Sequence, residues 1–231
     1  MIRAIVTDVE GTTTSLAFVK NMLFPYARAR MAEFVRAHAR DPLVRQFLDD
    51  VRKAAGRELD EDGVIAQLIA WIDQDKKITP LKALQGMIWE QGYRNRDFTG
   101  HVYADAARNL ERWHAQGLKL YVFSSGSVQA QQLIYGYSDF GDLTPLFSGY
   151  FDTTIGAKRE ASSYREISAA IDVAPEDILF LSDTKEELDA ARAAGMHTAW
   201  LVRDGALTQH STHPQVKDFD ALDVARLSGR A

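Results

Sequence analysis

The chain has 231 residues, no cysteine and a formal net charge of −5, with 46% hydrophobic and 26% charged residues. That length and balance suit one good core and a smaller second one, and the lack of cysteine excludes disulfides and thiolate metal sites. The acidic balance, without a basic stripe, argues against nucleic acid or an anionic membrane as partner; no apolar run is long enough to span a bilayer and Met1 leads into IRAIVTDV without a basic leader, so a cytoplasmic location is expected.

The first element is RAIVTDV (3–9), a short apolar run rich in β-branched residues that reads as a buried strand. About a hundred residues without a strand pattern follow it. In them Pro25, Pro42 and Pro80 stand at plausible first helical positions, the latter two behind Asp41 and Thr79 as N-caps. Val64, Ile65, Leu68, Ile69 and Ile72 repeat at helical spacing. Beyond residue 100, ARNLERWHAQG reads as a helix, LKLYVFS (118–124) as a strand and SYREISAAID as a helix. DILFLSD (177–183) and HTAWLVR (197–203) complete the strand runs. This alternation predicts an α/β fold, a doubly wound parallel sheet built from 1–15 and 100–231, with an inserted all-α domain at 16–99.

In open α/β sheets ligands gather beyond the carboxyl ends of the strands. Asp8 and Glu10 stand at the end of the first strand, with Gly11 permitting a tight turn. Ser124 and Ser125 follow the second and precede a helix, where hydroxyls and free N–H groups make a local anion site. Asp183 ends the third and is placed to share a hard cation such as Mg²⁺ with Asp8. Lys158, in FDTTIGAKREASSY, adds a compensating cation. Each has a plainer reading taken alone: a capped turn, an N-cap serine, an acid in a helix's first turn, a solvated lysine. Together they meet the needs of phosphoryl transfer through a carboxylate, namely nucleophile, metal, oxyanion donors and cation. Glu186 is expected to face water, and Trp113 and His114 to be structural.

The order Asp8 and Glu10, Ser124, Lys158, then Asp183 with Glu187 resembles the four motifs of the haloacid dehalogenase superfamily of phosphohydrolases. Glu10 stands where those phosphatases usually carry aspartate. This DVEGTTT stretch, with AFVKNMLFPYA, LKALQGMIW, YVFSSGSVQAQQLIYG and FDTTIGAKREASSY, is similar to the enolase-phosphatase (acireductone synthase) family of methionine salvage; the resemblance fades after about residue 205. It implies enolisation of 2,3-diketo-5-methylthiopentyl-1-phosphate, then dephosphorylation to the acireductone 1,2-dihydroxy-3-keto-5-methylthiopentene through an aspartyl phosphate. Asp8 is then the nucleophile and Glu10 the acid and later the base. Mg²⁺ is held by Asp8, Asp183 and the Glu10 main-chain carbonyl, and Ser124, Ser125 and Lys158 bind the phosphate. No residue is named as the enolising base.

The inserted domain is expected to cap the site, with Lys82, Gln85 and Trp89 on one helix face toward the diketone and Phe18, Leu23 and Phe24 around the methylthio tail. The partner is a small phosphorylated metabolite and the chain is expected to act as a monomer. Another phosphatase or phosphomutase of the superfamily is the alternative. A receiver-type phospho-acceptor domain is the rival from another class, but it carries its acceptor on a middle strand without a helical insertion.

Overall fold

The computed structural model describes residues 1–227. Strand β1 (Ala4–Thr7) has all four side chains buried, as its unbroken apolar run requires of a strand covered on both faces. A single turn, α1 (Leu16–Phe18), leads through a π-helical turn (Val19–Leu23) into α2 (Phe24–His38), followed by α3 (Pro42–Ala55), α4 (Glu61–Asp73) and α5 (Thr79–Asn95). The chain then runs through α6 (Ala104–Ala115), β2 (Lys119–Phe123), α7 (Val128–Gly136), β3 (Phe147–Phe151) and α8 (Ala161–Ile171). It continues with β4 (Ile178–Ser182), α9 (Lys185–Ala193), β5 (His197–Leu201), β6 (Gln215–Val216) and α10 (Val224–Leu227).

Two compact units result: Met1–Leu16 with the chain from Gly100 onward, and Ala17–Thr99. The first holds a six-stranded sheet of order β3-β2-β1-β4-β5-β6, every pair parallel, which is the order of a doubly wound α/β sheet. Its core packs Val6, Phe123, Tyr164, Phe180 and Leu188, all fully buried; truncating such an aromatic to alanine costs about 3–5 kcal/mol. Two of these strands, β3 and β6, lie outside the four expected. β3 sits at the sheet edge, half-buried, and carries Gly149 because a Cβ there would press on the Tyr121 ring.

The second unit is all-helical. Val64, Ile65, Leu68 and Ile72 of α4 are buried, and Leu81, Leu84 and Ile88 of α5 likewise. Its helix starts differ from two expectations. Pro25 begins no helix, because the backbone before it is already helical through the π turn. Thr79 is the first residue of α5, and Ile78 holds the extended cap position. Asp41 does cap α3 in conformation, but its carboxylate meets His38 Nδ1 at 2.8 Å instead of the helix. Asp60 caps α4 fully, accepting from Gly63 N at 2.8 Å. No helix among the described residues is long and apolar enough to cross a membrane.

Candidate active site

Strand register decides which side chains meet. Thr7 of β1 pairs with Val122 on one side and Leu181 on the other, so Asp8, Ser124 and Asp183 all leave the sheet at its carboxyl edge. Asp8 N extends the ladder by one bond, donating to Leu181 O at 2.8 Å. The chain then folds into a tight turn in which Val9 O accepts from the N–H groups of Thr12, Thr13 and Thr14 at 3.2, 3.0 and 2.9 Å. Gly11 sits in that turn at φ +75°, and a Cβ on it would overlap the Asp183 carboxylate. Glycine is therefore required twice, by backbone conformation and by the close approach of the acid.

Lys158 comes from the loop before α8 and is anchored at its carbonyl by the Tyr164 hydroxyl at 2.7 Å. Its ammonium lies 2.5 Å from Asp8 Oδ1 and 2.6 Å from Glu187 Oε2. Ser182 Oγ also donates to Glu187 Oε2, at 3.0 Å. Burial works against the Lys158 charge, but the two carboxylates outweigh it and hold the ammonium above the ordinary lysine value. Burial pushes Glu187 up, the charge of Asp8 adds to this, and Lys158 offsets only part. One ammonium serves two carboxylates, and the second remains in surplus. Asp183 is also raised, by burial first and by the neighbouring Asp8 charge second.

Asp8, Glu10, Asp183 and Glu187 line one cleft of about 280 Å³ with Lys158, Ser124 and Ser125. Four carboxylates against a single lysine leave an excess of negative charge, which adds to burial in raising Asp183. That donor set fits a hard divalent cation. Among the described residues no group of three or more His, Cys, Asp or Glu side chains is arranged as a metal cage.

Other predicted residues fall in two groups. Ser124 is buried, its hydroxyl accepts from Gly126 N at 3.0 Å, and Ser125 is exposed at the cleft. Lys82, Gln85 and Trp89 lie on α5 of the helical unit. Lys82 is half-buried, whereas Gln85 and Trp89 are buried. The Trp89 indole N–H donates to Leu23 O at 2.8 Å and its ring stacks on Phe24, so its polar edge is engaged within that unit. Leu23 is buried, and Phe18 and Phe24 are half-buried. Glu186 is exposed. Trp113 is buried against Phe219, ring centroids 5.4 Å apart, and His114 Nδ1 meets Leu146 O at 3.1 Å.

Two contributors were not foreseen in their roles. Glu187 reads in sequence as a partner of Asp183, yet its contacts are with Lys158 and Ser182. The phase of α9 carries the clue, since Glu187 shares the buried side with Leu188 and Ala191. Gln131 of α7 is buried and donates from Nε2 to both Gly126 O and Phe151 O at 2.9 Å, pinning the Ser124–Gly126 loop to the end of β3.

Residues 2–195 match the family model described as haloacid dehalogenase-like hydrolase. The chain is 63% identical to the "Enolase-phosphatase E1" of Methylococcus capsulatus over 96% of its own length and 98% of that protein. It is 56% identical to the protein of the same name from Serratia proteamaculans, over 99% and 100%. Among solved structures it is similar to the UTR4 protein of Saccharomyces cerevisiae, with a TM-score of 0.82 and 31% identity over 96% of this chain and 100% of that one.

Proposed function

Because the chain belongs to the haloacid dehalogenase-like hydrolases and, among them, to the enolase-phosphatases, we propose that it enolises 2,3-diketo-5-methylthiopentyl-1-phosphate and then removes the phosphate. The product is the acireductone 1,2-dihydroxy-3-keto-5-methylthiopentene of methionine salvage, made in the cytoplasm from a small phosphorylated metabolite. The observation that carries the phosphatase step is the buried Lys158 ammonium held between Asp8 and Glu187 at the carboxyl edge of the sheet. It sets a cation against a buried carboxylate that lines a cleft also holding hydroxyl donors.

In this reading Ser124, Ser125 and Lys158 bind the phosphate oxygens. Asp8 attacks phosphorus, an O–P bond to its carboxylate forms, and the bond to the substrate's C1 oxygen breaks. Glu10, half-buried in the same cleft, gives its proton to that leaving oxygen. Glu10 then takes a proton from water as the water oxygen bonds to phosphorus and the P–O bond of the aspartyl phosphate breaks, freeing phosphate and restoring the Asp8 carboxylate. Mg²⁺ bound by Asp8, Asp183 and the Glu10 main-chain carbonyl would neutralise charge on the transferred group. Glu187 and Ser182 hold Lys158 in place. The helical unit serves as the cap that selects the substrate, with Lys82, Gln85 and Trp89 as the residues assigned to the diketone. No side chain is singled out as the enolising base.

The test supplies the purified protein with the diketone phosphate and with a panel of sugar and glycolytic phosphates, following phosphate release and acireductone absorbance. Preferred turnover of the diketone phosphate with the chromophore supports the reading. Faster hydrolysis of another ester, or phosphate transfer within a sugar without release, overturns it in favour of a different phosphatase or a phosphomutase.

A further inference from the structure

Arg203 lies two residues beyond β5 and outside the stretch the family model matches. Its guanidinium reaches back to the catalytic turn. Nε donates to Thr12 O at 3.0 Å and Nη2 to the same carbonyl at 2.6 Å. Nη1 meets Asp105 Oδ1 and Oδ2 at 2.9 and 2.7 Å. The group lies 4.0 Å from the centroid of the Tyr103 ring and 5.2 Å from that of Phe219. Asp105 is itself fixed, accepting from Phe219 N at 2.8 Å. The Arg203 and Asp105 side chains are only 9% and 16% exposed, so water has little room to replace the grip.

What the grip holds is one residue from the nucleophile's carboxylate. Thr12 Oγ1 donates to Asp8 Oδ2 at 3.4 Å, while Lys158 occupies Asp8 Oδ1. Thr12 N closes the turn on Val9 O, and the next carbonyl, Thr13 O, is taken by Tyr103 N at 2.9 Å. Arg203 therefore sets the plane of the Thr12 peptide, and Thr12 sets the second oxygen of Asp8. We propose that Arg203 is a positioning residue for the nucleophile, acting through Thr12 and braced by Asp105. A lysine does not reproduce this, because its ammonium lacks the rigid planar fork that places two N–H groups on the carbonyl and a third on the carboxylate. The proposal rests on Asp8 being the nucleophile.

The test compares Arg203→Lys and the double variant Arg203→Met with Asp105→Asn, which leaves no buried charge unpaired. The measurements are kcat and KM with the diketone phosphate, inhibition by inorganic phosphate, and Tm. A misplaced nucleophile should lower kcat by about 10- to 100-fold. KM and phosphate inhibition, which depend on Ser124 and Lys158, should stay within about threefold. The double variant should regain Tm without regaining kcat. A kcat that recovers together with Tm overturns the proposal, because Arg203 would then be a structural tie. If the double variant unfolds at the assay temperature, Arg203→Lys decides: reduced kcat at the parental Tm supports the proposal, and parental kcat overturns it. Asp8→Asn run alongside separates the two failures. Parental activity there overturns both readings, whereas an inactive Asp8→Asn beside undisturbed Arg203 variants overturns this one alone.

Discussion

Lys158 Nζ and Asp8 Oδ1 stand 2.5 Å apart although 150 positions of chain separate them, and both side chains are almost wholly buried. A pair removed from water this completely is poor evidence of stability, since desolvation consumes much of the attraction. Here it is better understood as fixing the position of one Asp8 carboxylate oxygen at the edge of the cleft.

Asp8→Asn should abolish phosphate release, lowering kcat by at least about 10³-fold, because the near-isosteric amide cannot act as the nucleophile. The melting curve should change little, since Lys158 keeps Glu187 as counter-charge. If Asp8 is not also the enolising base, the variant builds up the enol phosphate, read as ultraviolet absorbance and as C–H exchange in D₂O. Substantial phosphate release would remove Asp8 from its role.

Glu10→Gln should leave attack on phosphorus slowed and breakdown of the aspartyl phosphate slower still, by about 10²–10⁴-fold for a lost general base. Acid quenching of the variant mixed with substrate should trap labelled phosphate on the protein. Turnover falling without any trapped phosphoenzyme would assign Glu10 to the first step only.

Glu187 links stability to pH. Its folded value is raised from 4.5 to about 7, by burial first and then by Asp8. The folded state thus holds this proton more tightly than the unfolded chain does, so the stabilisation is full below the unfolded value and is lost as pH rises through the folded one. Glu187→Gln is neutral at every pH and escapes that loss. In metal-free protein, the Tm of the variant minus that of the parent should therefore climb between those two values and level off above them. A flat or falling difference in thermal melts would show that the ionised Glu187 is fully compensated by Lys158.

Chelation should abolish phosphate release and added Mg²⁺ should restore it. Asp183→Ala should raise the Mg²⁺ concentration for half-maximal rate by at least about tenfold, as loss of a group organising a metal site does. Titrating activity against Mg²⁺ checks this, and an unchanged midpoint would exclude Asp183 as a ligand.

Lys82→Ala and Gln85→Ala should lower kcat/KM for the diketone phosphate more than for a small generic phosphate ester. Trp89→Phe should show the same bias and in addition forfeit the hydrogen bond to Leu23 O, at a cost of about 1 kcal/mol in stability. Equal losses on both substrates would return Lys82 and Gln85 to the interior of the helical unit.

Much of this protein was legible in its sequence, because the relevant signals are local. Four apolar runs read as strands and form as β1, β2, β4 and β5, since β-branched and aromatic residues beside turn formers specify a buried strand without help from distant chain. The strand-end positions of Asp8, Ser124 and Asp183 were legible for the same reason, since each stands just past a strand end. Edge strands were not, because half-buried β3 and two-residue β6 bury too little to impose a pattern. The start of α5 escaped as well, since threonine at 79 suits a cap or a first turn equally and only the extended backbone of Ile78 distinguishes them. Tertiary structure alone decided the charge pairing. That Lys158 meets Asp8, that Glu187 shares that ammonium, and that Arg203 grips Thr12 all depend on parallel register and on the packing of distant segments. A side chain's propensity is set by its neighbours in the chain, but its electrostatic partners are whatever the completed sheet brings within a few ångströms of it.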